Sequence, residues 1–457
     1  MNSTFKIIAL VSQVDIKPAE LDFCREQLTC LCGDARQQDV FFEYCLKWKM
    51  APWMNIQLKK YSLSTLFTED VQGKFEAVYQ KVKLENEKRN AKALQFLKAF
   101  NDNGIDFIIL KGNLFANTIY GNTGYKKMND FDILIKREDW SKVHKIYLDL
   151  GFIPLGFGWS GEKEKETKFS HTAIPFISPD FTCIIGTQWG LKSPTTSFTI
   201  NMQDAWDTAL PFSFETVLCK QLSPAYNLLH LILHMGIYKC GIRDCMDVYN
   251  LLAATSWNVA DTQALFDLIE KTGATEKARF TLEMCNLCTN TIPKAWLERM
   301  PVKDSSFIST RLKKRKEMFA ETGDIHNSYN DYFQDIEKNV IYINLFPKFH
   351  HRLPLYGKIL RMLYFPDIGH SLKFIDKFHS PTIANKIKGR IQGPWFSFAI
   401  IAEEVGWKVT SLLFVKLFFD VMLSPVNYVL AKDSYFDYLR KKNIDPAEIK
   451  KVVSNVQ

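Results

Sequence analysis

The sequence predicts an α+β or α/β fold in which a small mixed β-sheet lies between helical regions at both ends of the chain. Residues 19–103 and the residues after about 224 carry apolar side chains at helical spacing. Between them, short apolar runs alternate with turns and brief helices, as buried strands do. The composition, with 47% hydrophobic and 24% charged residues in a chain of 457, suits an ordered globular protein with large cores.

The N-terminal region is predicted to be helical. Residues 19–60 show helical apolar spacing that Pro52 interrupts. A longer helix is predicted over about residues 70–102, with Phe96 and Phe100 in its apolar stripe. The Asn-Asp-Asn-Gly sequence that follows ends this helix, because glycine accommodates a left-handed cap.

The middle of the chain changes to the strand pattern. The predicted elements are a strand at 105–110, a Lys-Gly turn at 111–112, a brief helix at 113–120, a loop at 121–124, a strand at 128–135, an amphipathic helix at 140–151, a strand at 152–155 and another strand at 182–191. The expected domains are a helical region at 1–103, the sheet-containing core at 104–200, a helical domain at 201–300 and a basic, aromatic-rich, mostly helical region at 301–457.

The cysteine pattern and the first residues predict a cytoplasmic protein. Ten cysteines are scattered without the dense framework of a small secreted domain, which favours a reducing compartment. The apolar run at residues 7–11 is too short for a secretory signal. The segment 409–423 contains Lys416 and Asp420 and falls short of the roughly 20 apolar residues that cross a bilayer. We expect a buried helix there, with contact to a membrane surface as the alternative.

The basic excess lies in the last third of the chain. The net charge is +8, and residues 301–457 contain 24 Lys and Arg against 16 Asp and Glu. The clearest basic block is Arg-Leu-Lys-Lys-Arg-Lys at 311–316. We expect a solvated helix face, while nucleic acid, an anionic membrane surface or a phosphate-rich ligand are alternative partners.

Two carboxylates stand two residues apart in the strand predicted at 128–135. Because residues i and i+2 of a strand point to the same face, Asp130 and Asp132 project together and Phe131 faces the other side. Carboxylates about 6 to 7 Å apart repel each other and are costly to bury unless a cation lies between them. Mg²⁺, or Mn²⁺ in its place, is the expected cation, since Mg²⁺ commonly joins one or two carboxylates to nucleotide phosphates. The alternative is an exposed edge strand that carries two Asp residues for solubility.

The Lys-Gly turn predicts a phosphate-binding position near this pair. Lys111 and Gly112 follow the first strand and open a short helix, where backbone N–H groups and the missing glycine side chain let a phosphate approach. The Lys111 ammonium could add a point charge to that phosphate. Together, the turn and the carboxylates predict a site for nucleotide and metal.

This order of elements resembles the core of the polymerase-beta-like nucleotidyltransferase superfamily. More specifically, it resembles an uncharacterised bacterial nucleotidyltransferase family in which Lys-Gly replaces the usual Gly-Ser turn. The resemblance rests on GIDFIILKG (104–112), KKMNDFDILI (126–135), LGF (150–152), FSHTAIPF (169–176), LLHLILH (228–234) and IRDCMDVYNLL (242–252), and it covers roughly residues 30–300.

The resemblance implies that a nucleoside monophosphate is transferred from an NTP such as ATP to an acceptor hydroxyl, with pyrophosphate leaving. It assigns the metal ligands and the catalytic centre to Asp130 and Asp132, and phosphate binding to Lys111 and Gly112. Lys126, where the family often has Arg, is a further phosphate contact by the same resemblance. Such in-line transfer depends mostly on positioning and charge neutralisation.

One position departs from the family pattern. The family usually has a third carboxylate in an acidic-x-His-Trp stretch of a later strand, able to complete the metal site or activate the attacking hydroxyl. The matching stretch is Gly-Thr-Gln-Trp, with Gly186 in the acidic position and Gln188 in the histidine position. Asp180 lies six residues before Gly186, about 20 Å along an extended strand, so it substitutes only if the chain bends. Gln188 and His171, which follows the charged loop at 162–168, are candidate substrate contacts.

A zinc site is the competing interpretation of the helical domain. His230 and His234 fall on one helical face, and Cys240 and Cys245 follow. This set lacks the paired C-x-x-C spacing of structural zinc sites, so we expect core residues instead. The C-x-x-C at 285–288 lies in a predicted helix and is expected to be a buried pair of small hydrophobes.

The leading hypothesis is therefore a Mg²⁺-dependent nucleotidyltransferase that acts on an unidentified small molecule, sugar, protein or RNA. Because the third carboxylate is missing, a catalytically degenerate relative that binds nucleotide or a partner is the first alternative. A helical interaction protein without a nucleotide site is the second alternative. Mg²⁺-dependent nucleotide binding separates the first two hypotheses from the third.

Overall fold

The chain forms two compact units. The first comprises residues 1–153, 177–192 and 198–326, and the second comprises residues 154–176, 193–197 and 327–457. The structure is a computed structural model, and it describes residues 3–156, 170–236, 240–302, 306–326, 356–357, 361, 382–422, 435–445, 447–449 and 451. The fold class is α+β, as predicted, with helices before and after a mixed sheet.

Long helices make up most of the described chain. Before the first strand lie α1 Ser3–Val11, α2 Pro18–Cys32, α3 Ala35–Lys47, α4 Ala51–Lys60 and α5 Glu69–Asp102. Within the sheet region lie α6 Lys111–Thr118, α7 Trp140–Asp149 and α8 Met202–Asp207. After the sheet follow α9 Pro224–His234, α10 Ile242–Ala254, α11 Val259–Thr272, α12 Thr275–Thr289, α13 Lys294–Glu298 and α14 Phe307–Thr322. The second unit contributes α15 Ile383–Val405, α16 Trp407–Met422 and α17 Tyr435–Lys441.

In the described part of the chain, seven strands form one mixed sheet. They are β1 Phe107–Ile109, β2 Phe131–Ile135, β3 Ile153–Pro154, β4 Phe176–Ile177, β5 Ile184–Gln188, β6 Leu210–Phe214 and β7 Val217–Gln221. Their order in the sheet is β3-β4-β5-β2-β1-β7-β6. β2 is antiparallel to β1 and parallel to β5, so the carboxylate strand is central.

The helix and strand predictions from periodicity agree closely with the structure in the first unit. α5 covers the predicted long helix, and Gly104 after it has a φ of +64°. Pro52 lies in the first turn of α4, where a proline is tolerated, instead of interrupting a helix. The β6–β7 hairpin was not predicted. β6 is a largely exposed edge strand that contains Pro211, and it lacks the apolar run that marks a buried strand.

Two predictions about the C-terminal third need correction. In the basic block at 311–316, Lys313 and Lys316 are exposed as expected, but Arg311 and Arg315 are buried, and Nη1 of Arg315 donates a hydrogen bond to the Ile325 carbonyl at 2.7 Å. The helix expected to be buried at 409–423 is α16, which exposes large apolar side chains such as Phe418. The contact of α16 with α15 covers only part of the apolar surface of α16. None of the described helices is long and apolar enough to cross a membrane.

Aromatic packing fixes the carboxylate strand against α5. The buried Phe96 ring lies 5.5 to 6.0 Å, between centroids, from the rings of Phe100, Phe131, Tyr147 and Phe152. Phe131 stands between the two aspartates in sequence and points into this cluster. Because side chains alternate along a strand, its burial directs both carboxylates to the opposite face.

We predict that Phe96→Ala lowers the free energy of unfolding by about 3 to 5 kcal/mol, because it leaves a cavity beneath β2. Urea-induced unfolding followed by circular dichroism measures the loss. Phe23→Ala in α2 is the matched control, since Phe23 is 38% exposed and its truncation should cost roughly 0.5 kcal/mol. Equal losses for the two variants would contradict the assignment of Phe96 to the core.

Candidate active site

The Lys-Gly turn is held directly beside the carboxylate strand. The backbone N–H of Leu110 donates a hydrogen bond to the Asp132 carbonyl at 3.1 Å, which continues the β1–β2 pairing to the turn. Lys111 then adopts a φ of +53°, a left-handed conformation that costs a non-glycine residue roughly 1 kcal/mol. This bend starts α6 and keeps the lysine next to Asp132.

The two aspartates face the same space above β5. In the parallel pairing of β2 with β5, Asp132 lies opposite Gly186. A Cβ atom placed on Gly186 would lie 2.7 Å from Oδ1 of Asp132 and 3.7 Å from Oδ2 of Asp130. Both carboxylates therefore converge on the space above Gly186, the position at which the resemblance led us to expect an acidic residue.

One ammonium and one amide donor contact the Asp132 carboxylate. The Nζ atom of Lys111 lies 3.1 Å from Oδ2 of Asp132, and both side chains are largely buried. The Nε2 atom of Gln188 donates to Oδ1 of Asp132 at 3.0 Å. Gln188 thus orients the carboxylate in this structure.

Asp130 carries the electrostatic cost of the pair. Burial, reinforced by the charge of Asp132, raises the pKa of Asp130 to about 6, while the charges of Lys111 and Arg89 act in the opposite direction. The Nδ2 atom of Asn113, in the first turns of α6, donates to the Asp130 carbonyl at 3.4 Å. Asp130 is one of the two carboxylates that the sequence predicts as metal ligands, and a further cation beside it would offset the cost of its burial.

Helix α5 supports the site through polar residues in its buried stripe. Arg89 is buried and donates from Nη1 to Oδ1 of Asn86 at 2.7 Å. Asn86 donates from Nδ2 to the Thr123 and Lys126 carbonyls at 2.6 and 2.9 Å, which ties down the loop before β2. Sequence reasoning missed both residues, although their position in the apolar stripe of α5 is unusual for polar side chains.

Lys126 reaches a buried acidic partner on α10. Its Nζ atom forms an ion pair with Oδ2 of Asp247, and both side chains are largely buried. Tyr120 donates to the other carboxylate oxygen of Asp247 at 2.9 Å. A Cβ atom on Gly112 would lie 3.2 Å from Cε of Lys126, so glycine leaves the room that this lysine uses. Asp247 lies outside the sequence-predicted site, 121 positions after Lys126 in the sequence.

Asp180 is engaged elsewhere in the first unit. Its carboxylate accepts hydrogen bonds from Ser178 at 2.6 Å and Thr182 at 2.9 Å, and it pairs with Lys92 at 3.0 Å. The Asp180 carboxylate therefore stabilises the turn at residues 178–182. His171 belongs to the second compact unit, and its role as a substrate contact stays a prediction.

The residues of the alternative zinc site form no metal cluster in the described part of the chain. Across those residues, no three His, Cys, Asp or Glu side chains are arranged to hold a metal ion. The rings of His230 and His234 lie 6.3 Å apart between centroids. Cys285 and Cys288 are buried free thiols in α12, which agrees with their expected packing role.

A comparison with protein families identifies the chain. Residues 34–290, more than half of the sequence, match the model of a family described as uncharacterised nucleotidyltransferase. The chain belongs to this family. The match contains the Lys-Gly turn, the carboxylate pair, Gly186 and Asp247, and the family description supports nucleotidyl transfer in general. No curated protein matches the chain.

We predict that Gly186→Ala displaces the Asp132 carboxylate, because the new Cβ would lie 2.7 Å from Oδ1. The expected result is at least about tenfold weaker Mg²⁺-dependent ATP binding in calorimetry, from the loss of one well-placed charged contact. Gly73→Ala in α5 is the control, since its Cβ would meet nothing within 4 Å. Unchanged ATP binding by Gly186→Ala would show that this space is not used.

We predict that Asp130→Asn stabilises the metal-free protein above pH 6. A raised pKa means that the folded state holds the Asp130 proton more tightly, so wild-type stability falls as pH rises from about 4 to about 6. The variant has no carboxylate to ionise, so its free energy of unfolding should exceed that of the wild type by on the order of 1 kcal/mol above pH 6. Near pH 4 the two proteins should be equally stable. Urea unfolding in chelator at both pH values measures the difference.

The exposed Asp106 provides the control for that experiment. Asp106→Asn removes the same charge from the first unit and loses only ion pairs with Lys136 and Lys220, so it should not be stabilised above pH 6. A gain of equal size at both pH values for Asp130→Asn would refute the electrostatic explanation.

Proposed function

We propose that this protein transfers a nucleoside monophosphate from an NTP, with ATP the first to test, to an acceptor hydroxyl in a reaction that needs Mg²⁺ or Mn²⁺. The observation that carries the proposal is the convergence of Asp130 and Asp132 on the space above Gly186. Lys111 stands at the edge of that space, 3.1 Å from Asp132. We place the reaction in the cytoplasm, which the ten free cysteines support.

The donor set fits a divalent ion that a nucleotide helps to hold. Mg²⁺ is commonly bound by one or two carboxylates, with substrate phosphates and waters as its other ligands. Asp130 and Asp132 supply two such carboxylates, and burial together with the charge of Asp132 raises the pKa of Asp130, a cost that a bound cation would offset. Bound there, the ion would neutralise the charge that develops on the phosphates during transfer.

Buried polar atoms near the pair also support a polar ligand. In the described part of the chain, Nε of Arg89 and Oδ1 of Asn113 are buried without a hydrogen-bond partner. Such atoms normally bond water or a ligand, because an unpaired buried polar group is costly. Asn113 contacts the Asp130 backbone, and the charge of Arg89 acts on the Asp130 carboxyl, so both lie at the pair.

The lysines have distinct roles in this proposal. Lys111 balances Asp132 in the free protein, and a divalent ion at the pair would release its ammonium for a phosphate. The side chain of Lys126 lies beside Gly112, where its ion pair with Asp247 holds it. Backbone N–H groups of the first turn of α6 add donors at Gly112.

In the reaction, the acceptor oxygen forms a bond to the α-phosphorus and the bond from that phosphorus to the bridging oxygen breaks. Pyrophosphate leaves with the bonding electron pair. With Gly186 and Gln188 at the positions of the family's acidic and histidine residues, the acceptor proton passes to a substrate phosphate or to another residue. The same two residues favour a second candidate function, nucleotide binding without turnover.

We predict that Asp130→Asn combined with Asp132→Asn abolishes Mg²⁺-dependent nucleotide binding, since it removes both proposed metal ligands. Calorimetry with each NTP, with and without Mg²⁺, measures the effect. Asp102→Asn with Asp106→Asn is the matched control, because it removes two exposed carboxylates just before β1. If the wild type binds no nucleotide, both candidate functions are contradicted.

Turnover separates the two candidates. Transfer of label from α-labelled NTP to a component of a cell extract, with release of pyrophosphate, identifies an enzyme. If the wild type binds nucleotide but neither product forms with any extract fraction, the binding function is favoured.

A further inference from the structure

Helix α15 exposes an apolar stripe. Ile383, Ile387, Ile391 and Trp395 follow one another at four-residue spacing along one side of the helix. Their exposed fractions range from 56% to 77%. Four large apolar side chains in one row are unusual on a surface that faces only water.

Helix α16 continues this apolar surface. Its exposed apolar residues fall within one side of the helix, and all are at least 48% exposed; they are Trp407, Leu412, Val415, Phe418, Phe419 and Met422. Gly406, with a φ of +84°, joins the two helices, which pack against each other. The two exposed sides together form what we call the α15–α16 surface.

Tryptophans lie where the two helices meet. The Trp395 and Trp407 rings are 5.7 Å apart between centroids, and they are 63% and 53% exposed. Phe398 lies 5.3 Å from Trp407 and extends the same cluster. Tryptophan is enriched at membrane–water interfaces, because its large ring is apolar and its N–H can bond headgroups.

The charges beside the stripe are positive. Lys388 is exposed next to it, Arg390 flanks its other side, and Lys408 is exposed at the start of α16. The first 20 residues of α15, residues 383–402, contain no Asp or Glu. An apolar side with basic flanks is the pattern of helices that lie in the surface of an anionic membrane.

We propose that the α15–α16 surface binds the surface of an anionic lipid bilayer, with both helices lying in the interface. Exposed apolar side chains would enter the acyl boundary, and Lys388 and Lys408 would meet lipid phosphates. A second copy of the chain is a poorer partner, because two such surfaces would bring like charges together. Nucleic acid would use the lysines but leave the isoleucine row in water.

Sedimentation of the 457-residue chain with vesicles tests this proposal. The protein should sediment with phosphatidylcholine vesicles that contain phosphatidylglycerol, less with phosphatidylcholine alone, and less as salt is raised. Trp395→Ser with Phe418→Ser should weaken partitioning at least about tenfold, since both side chains are 63% exposed and would enter the bilayer. Circular dichroism and thermal unfolding check that the variant stays folded.

Matched variants in the first unit provide the controls. Leu218→Ser with Val259→Ser removes two exposed apolar residues, 73% and 89% exposed, and should leave vesicle binding unchanged. Lys388→Gln with Lys408→Gln should weaken binding to anionic vesicles about fivefold or more, whereas Lys98→Gln with Lys271→Gln, also at exposed positions, should weaken it less.

Three results would overturn the proposal. The first is no sedimentation of the wild type with anionic vesicles. The second is vesicle binding that the Trp395 and Phe418 variant retains in full. The third is a wild type that does not bind vesicles but binds RNA or DNA, or self-associates, in a way that depends on Trp395 and Phe418.

Discussion

Two negative charges held over one short stretch of strand require positive charge close to them, and much of the surrounding structure follows from that constraint. Lys111 meets it most directly, with its ammonium 3.1 Å from Asp132. Two features keep the lysine there. Lys111 adopts a left-handed backbone conformation after β1, and the N–H of Leu110 donates a hydrogen bond to the Asp132 carbonyl. Strain at a turn is tolerated where the neighbouring structure enforces it, and here the β1–β2 pairing does so.

Helix α5 shows how one element serves both the core and the site. Its C-terminal half carries Phe96, which packs on Phe131 of the carboxylate strand, and Phe100, which packs on Phe107 of β1. About two and three turns before Phe96, Arg89 and Asn86 replace apolar residues in the same stripe and hold the loop that leads into β2. The rigid helix therefore fixes the distance between the packed strand and the polar loop, which positions the aspartates more accurately than loop residues alone would.

Gly186 decides what the pair can accommodate. In a parallel sheet, the residue opposite Asp132 points to the same face, so an acidic side chain there would enter the space between the carboxylates. Glycine leaves that space open, and Gln188 supplies an amide donor instead of a base. For the proposed reaction, this arrangement suits binding of a cation and phosphates better than removal of a proton from an acceptor. The second unit adds a separate exposed apolar surface on α15 and α16.

The sequence alone determined the order of the central elements, the extent of α5 and the shared face of Asp130 and Asp132, because local periodicity and strand alternation fix these features. Family motifs predicted membership over the core. Only the tertiary structure decided that Lys126 pairs with Asp247, that Arg89 is buried near Asp130, that β6 pairs at the sheet edge and that α16 exposes its apolar side. Those features depend on which distant surfaces meet, since the same residue pattern permits burial or exposure until a partner covers it.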